Sequence, residues 1–199
     1  PSGGCLTEKH LDIPIDYESL TAAGSMMGSG GMIVMDEDNC MVQVARFYLG
    51  FIVEESCGKC APCRIGNKRM LEILDRIVAG KGTVEDLDKL EELANVIKDT
   101  ALCGLGQTSP NPVLSTLANF RDEYMEHVVD KKCRAKQCTS MMSYVIEPEK
   151  CVGCHLCAKN CPVNAIEGEL KSKHVIDQSK CIKCGTCMSN CRLHAITLK

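Results

Sequence analysis

Four stretches of the chain carry apolar residues at helical spacing. From Asn39 to Glu55, Met41, Val44, Ala45, Tyr48 and Ile52 share a period near 3.6, in a segment that is apolar nearly all round. That pattern predicts a buried helix. A second helix is expected over 65–79, with Met70, Leu71, Leu74, Ile77 and Val78 inward and a stop at Gly80. Thr83 followed by Asp86 three residues on has the form of a capping box, and Leu87, Leu90, Leu93, Ala94 and Ile97 make the face of a third helix. Asn111, with Pro112 behind it, predicts the cap of a fourth, carrying Val113, Leu117, Phe120, Tyr124 and Val128. Ahead of these helices, residues 11–17 and 32–35 read as short strands. The glycine-rich run 24–31 between them is expected to be a structural turn. A phosphate-binding loop should open a helix, and here a strand signal follows.

Beyond Val128 the periodicity ends and cysteine takes over. CVGCHLCAKNC begins at Cys151, and CIKCGTCMSNC begins thirty residues later at Cys181. Both runs have the spacing C-x2-C-x2-C-x3-C, which suits paired cubane iron–sulfur clusters. Two intervening residues let a short loop present three thiolates to one cluster. The fourth cysteine of each run reaches the other cluster. One set is therefore Cys151, Cys154, Cys157 and Cys191, and the other is Cys161, Cys181, Cys184 and Cys187. The halves form an internal repeat in which Lys150/Lys180, Asn160/Asn190, Ala165/Ala195 and Ile166/Ile196 also match. Eight cysteines at a doubled cluster spacing argue against zinc knuckles or a disulfide scaffold.

A third run, Cys57, Cys60 and Cys63, lacks a nearby fourth thiol. An antiparallel helix pair over 65–97 would return the chain to Cys103, which can complete a third four-iron set.

These residues carry a resemblance. ESCGKCAPCRIG together with ALCGLGQTSPNPV resembles the 51-kDa type of flavin- and NADH-binding subunit of respiratory complex I. PSGGC and AGSMMGSGGMIVMD look like the soluble-ligand-binding β-grasp segment ahead of the cluster helices in that family. The added ferredoxin tail is similar to members found in NAD(P)-linked, electron-bifurcating [FeFe]-hydrogenases and some formate dehydrogenases. The resemblance implies an α+β chain: residues 1–38 the remnant of a β-grasp (SLBB-type) domain, 39–130 a small helical bundle holding a [4Fe-4S] cluster, 131–141 a linker, and 142–199 a bacterial-type 2[4Fe-4S] ferredoxin domain. It implies electron transfer between an FMN site and a hydrogenase or formate dehydrogenase catalytic subunit. A small thioredoxin-like [2Fe-2S] subunit is a further expected partner, and soluble ferredoxin another. FMN and NAD(P) are expected only in an upstream domain. The chain opens on Pro1 without a start-like segment, so it reads as a piece of a longer protein. A free-standing ferredoxin-like carrier or assembly module is the alternative.

The linker holds Cys133 and Cys138, outside any cluster run, with His127 six residues before the first. Two thiolates and an imidazole suit zinc, with His155 or a residue of another chain as the fourth ligand. Ordinary linker thiols are the plainer reading. His155, inside a cluster loop, could instead tune that cluster through hydrogen bonding. Cys5 and Cys40 are expected to be isolated buried thiols. Lys131, Lys132, Arg134 and Lys136 are expected to form a solvated face.

Composition narrows the classes. Twenty-three basic against 26 acidic residues give a net charge of −3, which is no nucleic-acid footprint. Each oxidised four-iron site with four thiolates adds about −2. The loaded chain would be acidic, as suits docking on a basic partner surface. No apolar run is long enough to span a membrane. Sixteen cysteines, twelve of them at cluster spacing, point to a reducing cytoplasm. No nucleophile–base constellation stands out.

Overall fold

The structure is a computed structural model that describes residues 3–198. It comprises two compact units that meet in sequence between Met141 and Met142.

The first unit is helical. After a short 3-10 turn at Glu8–His10 come α1 (Tyr17–Ala22), α2 (Met41–Glu55), α3 (Asn67–Val78), α4 (Val84–Thr100), α5 (Gly104–Thr108), α6 (Asn111–Asn119) and α7 (Arg121–Met125). A π-turn at Pro62–Gly66 leads into α3, and another at Glu126–Asp130 follows α7. The core is the meeting of the apolar stripes: Leu49 from α2, Leu74 and Ile77 from α3, Leu90 from α4, Val113 from α6 and Tyr124 from α7 are all fully buried. Each such aliphatic side chain contributes about 1.5–3 kcal/mol by leaving water.

The helix signals act as read, with two adjustments. Thr83 and Asp86 form the capping box of α4. At the end of α3, Lys81 N–H donates to Arg76 O and Gly80 N–H to Ile77 O, a Schellman closure that needs the positive φ of Gly80. The buried stripe of α2 is Met41, Val42, Ala45, Leu49 and Ile52, while Phe47 and Phe51 face outward. This helix is therefore one-sided, not buried all round. Asn111 is the first residue of α6, not its cap, and the expected run to Val128 breaks at Phe120, whose ψ of 35° leaves the helical region. Tyr124 stays in the core by hydrogen bonding Thr116 Oγ1 at 2.8 Å.

The expected strands at 11–17 and 32–35 do not form. Residues 11–16 run through turns and bends into α1, which starts at Tyr17, and 32–35 pairs with no strand among the described residues, as a strand must. Met32, Ile33 and Val34 are exposed. The β-grasp expectation for residues 1–38 thus finds no strand among the described residues. The glycine run does make turns, with positive φ at Gly24, Gly28 and Gly30 and no helix following.

The second unit carries the repeat. Strand β1 (Tyr144–Ile146) pairs antiparallel with β4 (Ile196–Leu198), and β2 (Ile166–Glu167) pairs with β3 (Val175–Ile176). Two one-turn helices, α8 (Leu156–Lys159) and α9 (Thr186–Ser189), follow the cysteine loops. Each sheet joins the opening strand of one half to the closing strand of the other. The hydrogen bonds repeat at the same thirty-residue offset. Glu147 N–H donates to Ala195 O and Asp177 N–H to Ala165 O, both at 2.7 Å. Lys150 pairs with Glu147 and Lys180 with Asp177.

Candidate metal centres

In the second unit, crossed strand pairing brings the predicted cysteine sets together. The fourth cysteine of each run lies five residues before a strand that belongs to the other half's sheet. Cys161 precedes β2, which pairs with β3, and β3 leads into the loop of Cys181, Cys184 and Cys187. Those four cysteines line one pocket, walled by Tyr144, Ile166 and Ile176. Cys151, Cys154, Cys157 and Cys191 line a second, walled by Ile146 and Ile196. The matching linings suit two copies of one group. Four thiols, apolar walls and inward N–H donors fit a cubane cluster. Ala165 N–H donates to Cys161 Sγ at 3.2 Å, and Ala195 N–H to Cys191 Sγ at 3.3 Å. Burial pushes the Cys157 and Cys187 thiols up, and metal ligation would supply the charge that stabilises their thiolates.

His155 is no member of the donor group that contains the linker cysteines. It lies in the second unit, with Nδ1 2.8 Å from His174 Nε2. His174 Nδ1 in turn faces Ser172 O at 3.0 Å. A carbonyl only accepts, so the His174 proton sits on Nδ1 and His155 donates to Nε2.

In the first unit, Cys57, Cys60 and Cys63 straddle the start of the π-turn ahead of α3, and Cys103 is the N-cap residue of α5. The Cys60 thiol is held below its ordinary range by backbone N–H groups, that of Leu102 foremost. On α5, a Cβ on Gly106 would lie 3.7 Å from Cys63 Sγ. The α3–α4 hairpin thus returns the chain to the three-cysteine loop.

A further centre is fully buried. Cys40, His127, Cys133 and Cys138 bring one ligand atom each to within 4.8 Å of one another. His127 Nε2 is 3.3 Å from Cys40 Sγ and 3.4 Å from Cys138 Sγ, and the two sulfurs are 3.8 Å apart. A tetrahedron with Zn–S of ~2.3 Å has edges of about 3.8 Å, so the donor set fits zinc closely. His127 Nδ1–H donates to Glu123 O at 2.7 Å, leaving the Nε2 lone pair for the centre. The Glu123 carboxylate accepts from Met41 N–H at 3.2 Å, beside Cys40. Without metal, the Cys138 thiol hydrogen bonds Cys40 and holds it well below the thiol range, to about 4. Sharing that bond drives Cys138 upward. Burial, the largest single influence, disfavours His127 as a cation, but the hydrogen bond and charge of Cys40 together with Glu123 outweigh it and raise the imidazole.

Cys40 is the residue that sequence reasoning missed; it is no isolated thiol. The signal was stoichiometric: zinc needs four ligands, three were in hand, and only Cys5 and Cys40 remained unassigned. Cys5 is elsewhere, its N–H donating to Ser115 Oγ. The basic linker face is also partly engaged. Arg134 pairs with Asp122 and Glu126, and Lys131 Nζ donates to Gly82 O.

Comparison with known proteins agrees with this division. Residues 43–127 match the family described as the NADH-ubiquinone oxidoreductase-F iron-sulfur binding region, and residues 143–192 match the 4Fe-4S dicluster domain. The NADP-reducing hydrogenase subunit HndC of Solidesulfovibrio fructosivorans is 62% identical over 174 residues, covering 87% of this chain and 36% of the relative. The F component of the NADH-quinone oxidoreductase of Streptomyces coelicolor is 43% identical over 127 residues, 64% of this chain and 28% of the relative. Among solved structures, an NAD+-reducing [NiFe]-hydrogenase in the H2-reduced state superposes with a TM-score of 0.56 at 29% identity, over 64% of this chain and 22% of that one. The chain thus spans about a third or less of the length of these relatives. Residues 43–127 thus form an iron–sulfur binding region of the NADH-ubiquinone oxidoreductase-F family, continued over residues 143–192 by a 4Fe-4S dicluster domain.

Proposed function

We propose that this chain is the electron-relay segment of an NAD(P)H-linked flavin and iron–sulfur oxidoreductase subunit. It holds three [4Fe-4S] clusters: one on Cys57, Cys60, Cys63 and Cys103, one on Cys151, Cys154, Cys157 and Cys191, and one on Cys161, Cys181, Cys184 and Cys187. Bound clusters supply one-electron carriers. The chain's own residues provide the thiolates, the backbone N–H donors and the apolar walls that limit water. The observation that carries the reading is the pair of pockets, each lined by three cysteines of one run and the fourth of the other. FMN and NAD(P) bind in a domain outside these residues, and a hydrogenase or related catalytic subunit exchanges the electrons. The name of the 62% identical relative, an NADP-reducing hydrogenase subunit, supports the hydrogenase side of this reading.

Zinc is the fourth metal of the proposal, on Cys40, His127, Cys133 and Cys138. It has no redox chemistry, so its role is mechanical. It ties the start of α2 and the π-turn after α7 to the segment leading to Met142. Loop closure alone would restrain that exit only weakly.

Anaerobic metal analysis of the reconstituted chain tests both parts. The expected result is three four-iron clusters by iron, sulfide and EPR spin count, with one zinc. Two clusters would remove Cys103 from the assignment, and absence of stoichiometric zinc would refute the fourth centre.

A further inference from the structure

Behind Cys63 lies a buried polar group that the ligand sets do not use. Asn67, the first residue of α3, is fully buried, and so is Ser109, which follows α5. A buried amide is expected to satisfy its hydrogen bonds within the protein. Here Asn67 Nδ2 lies 3.5 Å from Cys63 Sγ, and Asn67 Oδ1 lies 2.9 Å from Ser109 Oγ. The π-turn sets this up. Asn67 stands one turn after Cys63, and its backbone N–H also donates to Cys63 O. Such turns occur frequently at functional sites.

The orientation of the amide follows from chemistry. A ligand thiolate offers lone pairs only, so the edge facing Cys63 must be the NH2 group. That leaves Oδ1 for the Ser109 hydroxyl, whose single proton is shared with Gly106 O at 2.7 Å. On its other side, Cys63 Sγ meets Ser56 Oγ at 3.3 Å. Gly58 N–H donates to that same oxygen, so the Ser56 proton is free to point at the sulfur.

We infer that the Asn67 amide, held by Ser109, donates an N–H···S hydrogen bond to Cys63 and thereby raises the reduction potential of the cluster on Cys57, Cys60, Cys63 and Cys103. The inference rests on the proposed cluster at those cysteines. Reduction adds an electron that spreads onto the ligand sulfurs, and a donor on one of them stabilises the electron-rich state. The amide is neutral, so the effect does not depend on pH in the working range. Asn67 acts on the ligand itself; Ser109 is a positioning residue that acts through Asn67.

The test is an EPR-monitored redox titration of the full chain carrying its clusters. In N67A, the cluster of the first unit should become harder to reduce, by about tenfold in its reduction equilibrium, or ~59 mV for one electron. The two ferredoxin clusters should keep their midpoints. S109A keeps the amide but removes its lock, and should shift the same cluster in the same direction by less. N67Q, which retains an amide, should recover part of the shift if it reaches the sulfur. An unchanged midpoint in N67A overturns the inference, because a merely structural Asn67 would alter stability or cluster occupancy alone. If N67A fails to retain the cluster, S109A decides, and an unmoved midpoint there overturns it equally. A wild-type chain with no cluster at Cys57 would fail the functional reading instead, and spin counting separates the two cases.

Discussion

The two units carry their predicted cluster cysteines in opposite settings. In the second unit those cysteines are much of the core. Cys157 and Cys187 are buried within it, and the remaining core is five side chains: Tyr144, Ile146, Ile166, Ile176 and Ile196. In the first unit a core of helix faces, from Val42 and Leu49 to Ile97 and Val128, exists independently of Cys57, Cys60 and Cys103. A metal that fills a small core also folds it, whereas a metal seated on a finished core is held by it. The first unit then adds a second setting. Its buried centre of three thiols and one imidazole gathers ligands from Cys40 to Cys138, far apart in sequence and met only through packing.

Breaking one ligand in each unit gives the largest expected contrast. C161S should lose the cluster of Cys181, Cys184 and Cys187 and unfold the second unit, because the crossed ligand also ties the halves together. C103S should lose its cluster yet leave the helices of the first unit intact. Iron content, EPR and limited proteolysis of each unit read the outcome. A C161S chain whose second unit stays protease-resistant would break the comparison.

A smaller effect sharpens the view of the buried centre. Glu123 supports it twice, through its carbonyl to His127 and its carboxylate to the N–H beside Cys40. E123A keeps the backbone carbonyl to His127 and removes only the acceptor for Met41 N–H, so it should lose zinc to a competing chelator faster than wild type, but by less than the roughly 10–100-fold typical when a group that orients a metal ligand is replaced. E123Q keeps an acceptor for Met41 N–H and should lose less. Equal zinc retention in wild type and E123A would show that the helix alone sets the geometry.

The smallest effect concerns the core that the first unit builds without metal. Asp86 is partly desolvated, which opposes ionisation, but Arg76 and the Thr83 N–H win and hold its carboxyl below the usual range. A depressed folded pKa contributes stability above the unfolded value of about 3.9, and that contribution fades as pH falls through the folded one. T83A should cost about 1 kcal/mol by loss of the cap. D86N should flatten the acid limb of the stability curve below about pH 4. Denaturant melts of the first unit at pH 7 and pH 3 measure both.

What could be read without coordinates follows the range of the forces involved. The proposed ferredoxin ligand sets were legible because three of each set's four cysteines come from one short loop, so chemistry dictates spacing and the thirty-residue repeat doubles it. The capping box at Thr83 and the Schellman stop at Gly80 were legible for the same reason, since each closes within one turn of helix. The strands at 11–17 and 32–35 were misread because alternation describes a face, and a strand also needs an edge to pair with. Cys40 stood beyond reach for a related reason. It lies 87 residues from His127, and no local rule ties a helix's first turn to a π-turn at the far end of the unit. Only the packing of α2 against α6 and α7, set by apolar faces with no information about metals, carried that thiol to the imidazole. By itself the sequence pointed to the sets whose cysteines recur at cluster spacing; tertiary structure decided the group whose members share only a core.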